Sequence, residues 1–280
     1  MPVSDYSTYK TLRDSASMAA YYKLSAGEAS GKLQSSWTSV PFAGSAPTTA
    51  TACNNGTTGA ITWERLGLHS APTKVRRLAF LDAKQVNTGT ASNTGALLID
   101  RLSHQGGLSA IVTTAQTTNL PTAALTRHTS GEGVMIALEL YSIIGTTATT
   151  VTVSYTNQAG TAGQITYATA FGGTGNRAAG LMLILPLADG DTGVRSVESV
   201  TVLATTGTAG NFGVTLIKIL DWCPVTQVVI PDGKVGYDAF LGGGGLCPVV
   251  DNNACLQLCV VANATSNPVA LNMKFIEDDV

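Results

Sequence analysis

The chain has 280 residues, of which 44% are hydrophobic, enough for one large β domain or two smaller cores and too many for a disordered chain. Charged residues make up only 12%, about half the roughly 25% of an ordinary soluble domain, and the net charge is −2. This balance excludes a basic nucleic-acid footprint and an acidic tail, and it leaves the surface to Ser, Asn, Gly, Ala and the 38 threonines.

Met1 to Arg13 is polar and lacks the apolar stretch of a secretory leader, so none is expected. No apolar run reaches the 18 or so residues of a membrane span, the nearest being Gly180 to Leu187. From Ser7 to Lys32 there is no proline, and Tyr9, Leu12, Ala16, Ala19, Ala20, Lys23 and Leu24 recur at helical spacing behind a cap at Asp5 or Ser7. This predicts a helix with a thin apolar face, packed on its own domain or docked on a neighbouring subunit. Between Ser35 and Gly59, Pro41, Gly44, Pro47 and Asn54-Asn55-Gly56 predict a long loop. A boundary is expected near residue 60. Residues 1–59 then form an N-terminal helical arm with a long loop, and residues 60–280 a β body of one or two subdomains.

Beyond residue 60 the pattern is β. Thr149 to Tyr155 alternates polar and apolar residues with period two, and Gln164 to Phe171 does so more loosely. Gly180 to Leu185 reads as a strand buried on both faces. Ser196 to Leu203, Phe212 to Leu220, Gln227 to Ile230, Ala254 to Ala262 and Val269 to Ile276 complete the series. Short Gly-, Thr- and Asp-rich turns separate them. The fold class is therefore mainly β, an antiparallel sandwich or jelly roll. Thr73 to Lys84 and Leu97 to Ser109 are each expected to hold a short helix. Tyr237, Phe240, Leu241 and the glycines 242–245 read as a loop.

Residues that could carry chemistry are sparse. His69, His104 and His128 are isolated and read as structural or surface residues. Ala26 to Leu33 imitates a phosphate loop without its Ser or Thr, and Gly173 to Ala178 a dinucleotide turn without its helix. Asp189-Gly190-Asp191-Thr192-Gly193 offers oxygens to calcium but has glycine where a further ligand belongs, so an aspartate-stabilised turn is expected. No cofactor and no metal is expected. Cys53, Cys223, Cys247, Cys255 and Cys259 are odd in number, which rules out complete intrachain pairing. They read as buried free thiols, with an intersubunit disulfide through Cys53 as the other reading. Lys74, Arg76 and Arg77 form a weak basic cluster, either a solvated face or a contact with an acidic neighbour. With Tyr9 and Leu12 of the predicted helix, they are the candidate assembly contacts.

Four segments together, Thr117 to Ala123, Tyr155 to Gly160, Gly190 to Arg195 and Gly210 to Val214, resemble virion structural proteins of tailed bacteriophages. The resemblance implies a capsid decoration (cement), minor capsid, collar or fibre protein, commonly a sandwich or jelly roll and commonly a trimer or larger ring. It brings no catalytic residue. The expected function is thus non-enzymatic: bridging neighbouring capsid subunits in a virion assembled in the host cytoplasm. The expected partners are the major capsid protein and further copies of the chain, with no nucleic acid and no membrane. A receptor- or glycan-binding module of a fibre or neck is the alternative.

Overall fold

The computed structural model describes residues 6–24, 31–68, 74–85, 95–121, 124–227, 237–238, 247–262 and 268–278. A helix α1 (Tyr6–Ser15) is followed by strands β1 (Met18–Leu24), β2 (Lys32–Ser35) and β3 (Thr51–Ala52), then β4 (Val75–Gln85) and β5 (Gly95–Leu108). Next come β6 (Gln116–Leu120), β7 (Met135–Leu140), β8 (Ala148–Asn157), β9 (Gln164–Ile165), β10 (Thr169–Gly172), β11 (Met182–Ile184) and β12 (Val194–Val202). The long β13 (Phe212–Gln227) leads to β14 (Tyr237–Asp238), β15 (Val249–Val250), β16 (Leu256–Ala262) and β17 (Pro268–Asp278). The protein is mainly β.

Alternation builds one face-to-face pair of sheets. β8 buries Val151, Val153 and Tyr155, and β12 buries Val194, Val197, Val200 and Val202. Together with β6, β9 and β10 they form a five-stranded sheet. Against it lie β7, the first half of β13 and the second half of β5, with Ile136, Leu138, Phe212, Val214 and Leu216 filling the space between. Phe171 meets Phe212 edge-on with ring centroids 5.0 Å apart, a favoured geometry for two buried aromatics.

A second core lies at the other ends of the same long strands. A sheet of twelve strands runs β1-β17-β4-β13-β5-β16-β2, with the short strands attached to its flanks. Leu78, Leu81, Leu271, Met273 and Phe275 from β4 and β17 pack with Leu98, Leu256, Leu258 and Val260 from β5 and β16. Trp63 sits among them, edge-on to Phe275. β5 and β13 therefore belong to both cores, and burial along β5 is nearly continuous from Ala96 to His104.

Several expectations are corrected here. The N-terminal helix ends at Ser15, and Met18–Leu24 is a strand whose whole length pairs with β17. Ala19 and Tyr21 then bury on one face at period two. Both stretches expected to hold short helices are strands, β4 and β5. Each is apolar on two faces because it lies inside the sheet assembly, which erases the alternation that marks a strand. Within the first 59 residues, β1, β2 and β3 pair with β17, β16 and β5. The stretch expected as a loop, 35–59, is pinned by Trp37, which is buried and donates from Nε1 to the Ser45 carbonyl at 3.0 Å. A glycine is required at 44, because a Cβ there would stand 2.4 Å from the Trp37 ring. Phe240, Leu241 and the glycine run that follows, with His69 and most of Gln227 to Ile230, lie outside the described residues.

Candidate functional site

The most unusual chemistry in the chain lies at the seam where β5 passes from one core to the other. Asp100, Arg101, Ser103 and His104, four polar residues of this strand, are all buried. On one edge β5 pairs with β13. On the opposite edge it meets two strands in succession, β16 up to Asp100 and β3 at Ser103 and His104. Cys255 and Cys53 occupy the gap between them. The Arg101 amide donates to the Cys255 carbonyl, and the Cys53 amide donates to the Leu102 carbonyl, each at 2.9 Å.

Two buried ion pairs hold this junction. Arg101 donates to Glu139 Oε2 at 2.6 Å, to Gln257 Oε1 at 2.8 Å and to Thr215 Oγ1 at 3.3 Å. Its guanidinium also lies over the Trp37 ring, 4.2 Å from the centroid. Ser35 donates to Glu139 Oε1, and Gln257 Nε2 donates to Ser35 Oγ at 2.7 Å. Burial, the largest single influence, would make Arg101 easier to deprotonate, but the charge and hydrogen bond of Glu139, together with Tyr141 and Cys53, outweigh it and hold the group above its ordinary range. Arg127 grips Asp100 through Nε at 2.9 Å and a terminal nitrogen at 2.7 Å, and donates to the carbonyls of Cys53 and Arg101. The Cys255 amide donates to Asp100 Oδ1 at 2.8 Å. Nearly every donor and acceptor in the junction is therefore matched, the condition under which buried charges are tolerated.

His104 completes the cluster. Its Nδ1 is 2.9 Å from the Arg101 guanidinium, and its ring stands edge-on to Trp37. Arginine can only donate, so Nδ1 accepts and the ring proton sits on Nε2. His104 also lines a surface cleft of about 380 Å³ with Trp37, Ser45, Pro47, Thr48 and Thr51. Nearby, His128 lies 3.9 Å from Asp100. Burial is the main reason its imidazole is held below its ordinary value.

The sequence-chosen residues do not converge on this place or on each other. Tyr9 is buried and donates to the Ala79 carbonyl at 2.8 Å, anchoring α1 to the chain's own β4. Leu12 is half-buried in the same small cluster. Of the basic trio, only Lys74 is exposed. Arg76 is buried, with its guanidinium 4.4 Å from the Trp63 ring centroid and a contact to Glu277 at 3.3 Å. Arg77 is half-buried and donates to the Cys247 carbonyl. The three charges thus do not form one solvated patch, because alternation along β4 turns Arg76 inward. All five cysteines are buried, and none is in a disulfide. Cys53, the candidate for an intersubunit disulfide on the other reading, is enclosed with Trp37, Ala60 and Cys255. In the acidic turn, Asp191 accepts from Tyr155 Oη and Asn157 Nδ2, both at 2.6 Å, which ties the turn to β8.

The buried junction escaped sequence reading, although a signal for it was present. Asp100-Arg101 interrupts the apolar run Ala96 to Leu102, and Glu139 interrupts Met135 to Leu140. Charges embedded in apolar strands demand partners.

The architecture defines a mainly β protein of two sandwich-like cores sharing long strands. No family model matches the chain, and no curated protein matches its sequence. Among solved structures, the VP2 subviral particle of infectious bursal disease virus aligns at 9% identity and TM-score 0.20, covering 94% of this chain and 81% of that one. The T=1 particles derived from infectious bursal virus align at 10% identity and TM-score 0.20, covering 94% and 78%.

Proposed function

We propose that the protein is a non-enzymatic structural component of a virus particle, decorating or cementing a capsid by bridging neighbouring subunits. The observation that carries this reading is how the chain distributes its few charges. Arg76, Asp100, Arg101, Arg127 and Glu139 are all spent inside the fold. The surface retains large apolar side chains instead, among them Leu203 at 74% exposure, Val40 at 56% and Phe42 at 51%. Contacts repeated by symmetry are favoured by such a surface, because few charged groups must be desolvated when copies pack. The expected partners are a major capsid protein and further copies of the chain, with a trimer as the state to test, and the expected location is the virion.

A receptor- or glycan-binding module is the second reading. Trp222 at 59% exposure and Tyr167 at 51% are aromatic surfaces of the kind that stack on sugars. Trp37 and Trp63 are buried and leave that reading fewer residues.

The test is the solution mass of the purified chain by light scattering, followed by mixing with assembled capsids. A defined oligomer that saturates particles at a fixed stoichiometry is the expected outcome. A monomer that ignores particles but binds glycans, with binding lost in Trp222→Ala, would replace it with the second reading.

A further inference from the structure

We propose that Cys53 and Cys255 form an intrachain disulfide when the protein meets a peroxide, closing a covalent staple across the seam. The two residues lie opposite consecutive residues of β5, Leu102 and Arg101, on the same edge of that strand. That is an offset of about 3.3 Å along the strand, below the upper limit of the roughly 4.4–6.8 Å Cα span that a disulfide bridges. In a regular ladder, consecutive positions would point to opposite faces. Here one residue follows the end of β3 and the other precedes the start of β16, so neither is bound by the pleat. Both side chains turn into one cluster with Trp37 and Ala60. The Cys53 thiol also donates to the Thr51 carbonyl at 3.8 Å.

The surroundings divide the roles of the two sulfurs. The neighbouring Cys255 thiol, then His104, and the Arg101 charge favour the anionic form of Cys53 and hold its thiol below the ordinary range. Cys255, as the donor to that sulfur and a buried group, is held above it. Cys53 is thus the attacking sulfur and Cys255 the resolving one. The Cys53 thiolate attacks one oxygen of hydrogen peroxide, the O–O bond breaks, and the hydroxide released takes a proton to leave as water. The sulfur is now a sulfenic acid. Cys255, losing its proton, attacks that sulfur, the S–O bond breaks, and a second water leaves. Two thiols and one peroxide give one disulfide and two waters, the two electrons passing to the peroxide. The cleft lined by His104 brings small solutes to the edge of this cluster. Because the bond would join residue 53 to residue 255, it would tie the N-terminal segment to the last third of the chain and constrain the unfolded state.

The experiment treats the folded, full-length protein with hydrogen peroxide, then counts thiols in denaturant and maps peptides without reduction. Two of the five thiols should disappear, with a Cys53–Cys255 linked peptide, no covalent dimer, and a Tm higher by roughly 5–15 °C. Cys255→Ser should leave a sulfenic acid on Cys53 that a cyclic dione traps, with no rise in Tm. Should that variant fail to fold, peptide mapping of the natural chain decides alone. Five thiols surviving in the peroxide-treated folded protein, a bond between two chains, or a bond to any other cysteine would overturn the proposal.

Discussion

The two halves of the molecule solve the same packing problem by different means. Around β8 and β12 the core is mainly apolar, and buried hydroxyls such as Thr118 and Thr166 bond to the backbone of Val197 and Val153. At the seam on β5, two ion pairs, a histidine and two thiols are buried, with Trp37 against Arg101, His104 and the thiols. The first half rests on area removed from water, which is tolerant of imperfect shape. The second rests on completed pairing, which tolerates almost no loss of a partner. The chain is therefore most vulnerable at the seam.

That contrast can be broken most sharply at Glu139. Glu139→Ala leaves the Arg101 cation buried and unpaired and is expected to cost about 3–5 kcal/mol in urea unfolding. Replacing both, Arg101→Met with Glu139→Leu, should recover much of that loss. If the double variant is as unstable as the sum of the single ones, the seam does not depend on pairing. In the apolar half, Phe171→Ala removes the ring packed on Phe212 and should cost about 3–4 kcal/mol, with no such rescue from a distant partner. A smaller effect, about 1–2 kcal/mol, is expected of Asp191→Ala, which strips the acceptor from Tyr155 and Asn157.

The pH dependence sharpens the comparison further. Burial pushes the Cys223 thiol up from 9.0 to about 12. Burial and the hydrogen bond to Asp191 push Tyr155 up from 10.0 to about 12. Between pH 9 and 12 the folded chain therefore holds protons that the unfolded chain has released. Stability from these groups is complete below pH 9 and is lost as the pH rises through 12. His128 acts in the opposite range: its folded value is lowered, so acidification below about 6.5 favours the unfolded state. Thermal scans from pH 5 to 11 should show both declines, and His128→Gln should reduce only the acidic one.

How much of this was legible in the sequence follows the same division. β8, β12 and β17 announce themselves because one face is wetter than the other, and Thr149 to Tyr155 reads as a strand without any structure. β4 and β5 were misread because sheets cover both of their faces. Met18–Leu24 continues the helical spacing of Tyr9 and Leu12, and only its pairing with β17, some 250 residues away, makes it a strand. The seam was the least legible part. Ser35 meets Gln257, Arg101 meets Glu139 and Cys53 meets Cys255. Each is a contact between segments that no local pattern connects.

The buried charges on β5 join residues 31–68 and the two cores into one cooperative unit. Native-state hydrogen exchange tests it most directly, read at the amides of Cys53, Arg101 and Cys255 and at those of Val153 and Val200 in the apolar core. The account predicts that both sets exchange only through global unfolding, with the same free energy and the same dependence on denaturant. Exchange at Cys53 and Cys255 through a smaller opening, while Val153 and Val200 stay protected, would contradict it and return the N-terminal segment to the status of a detachable arm.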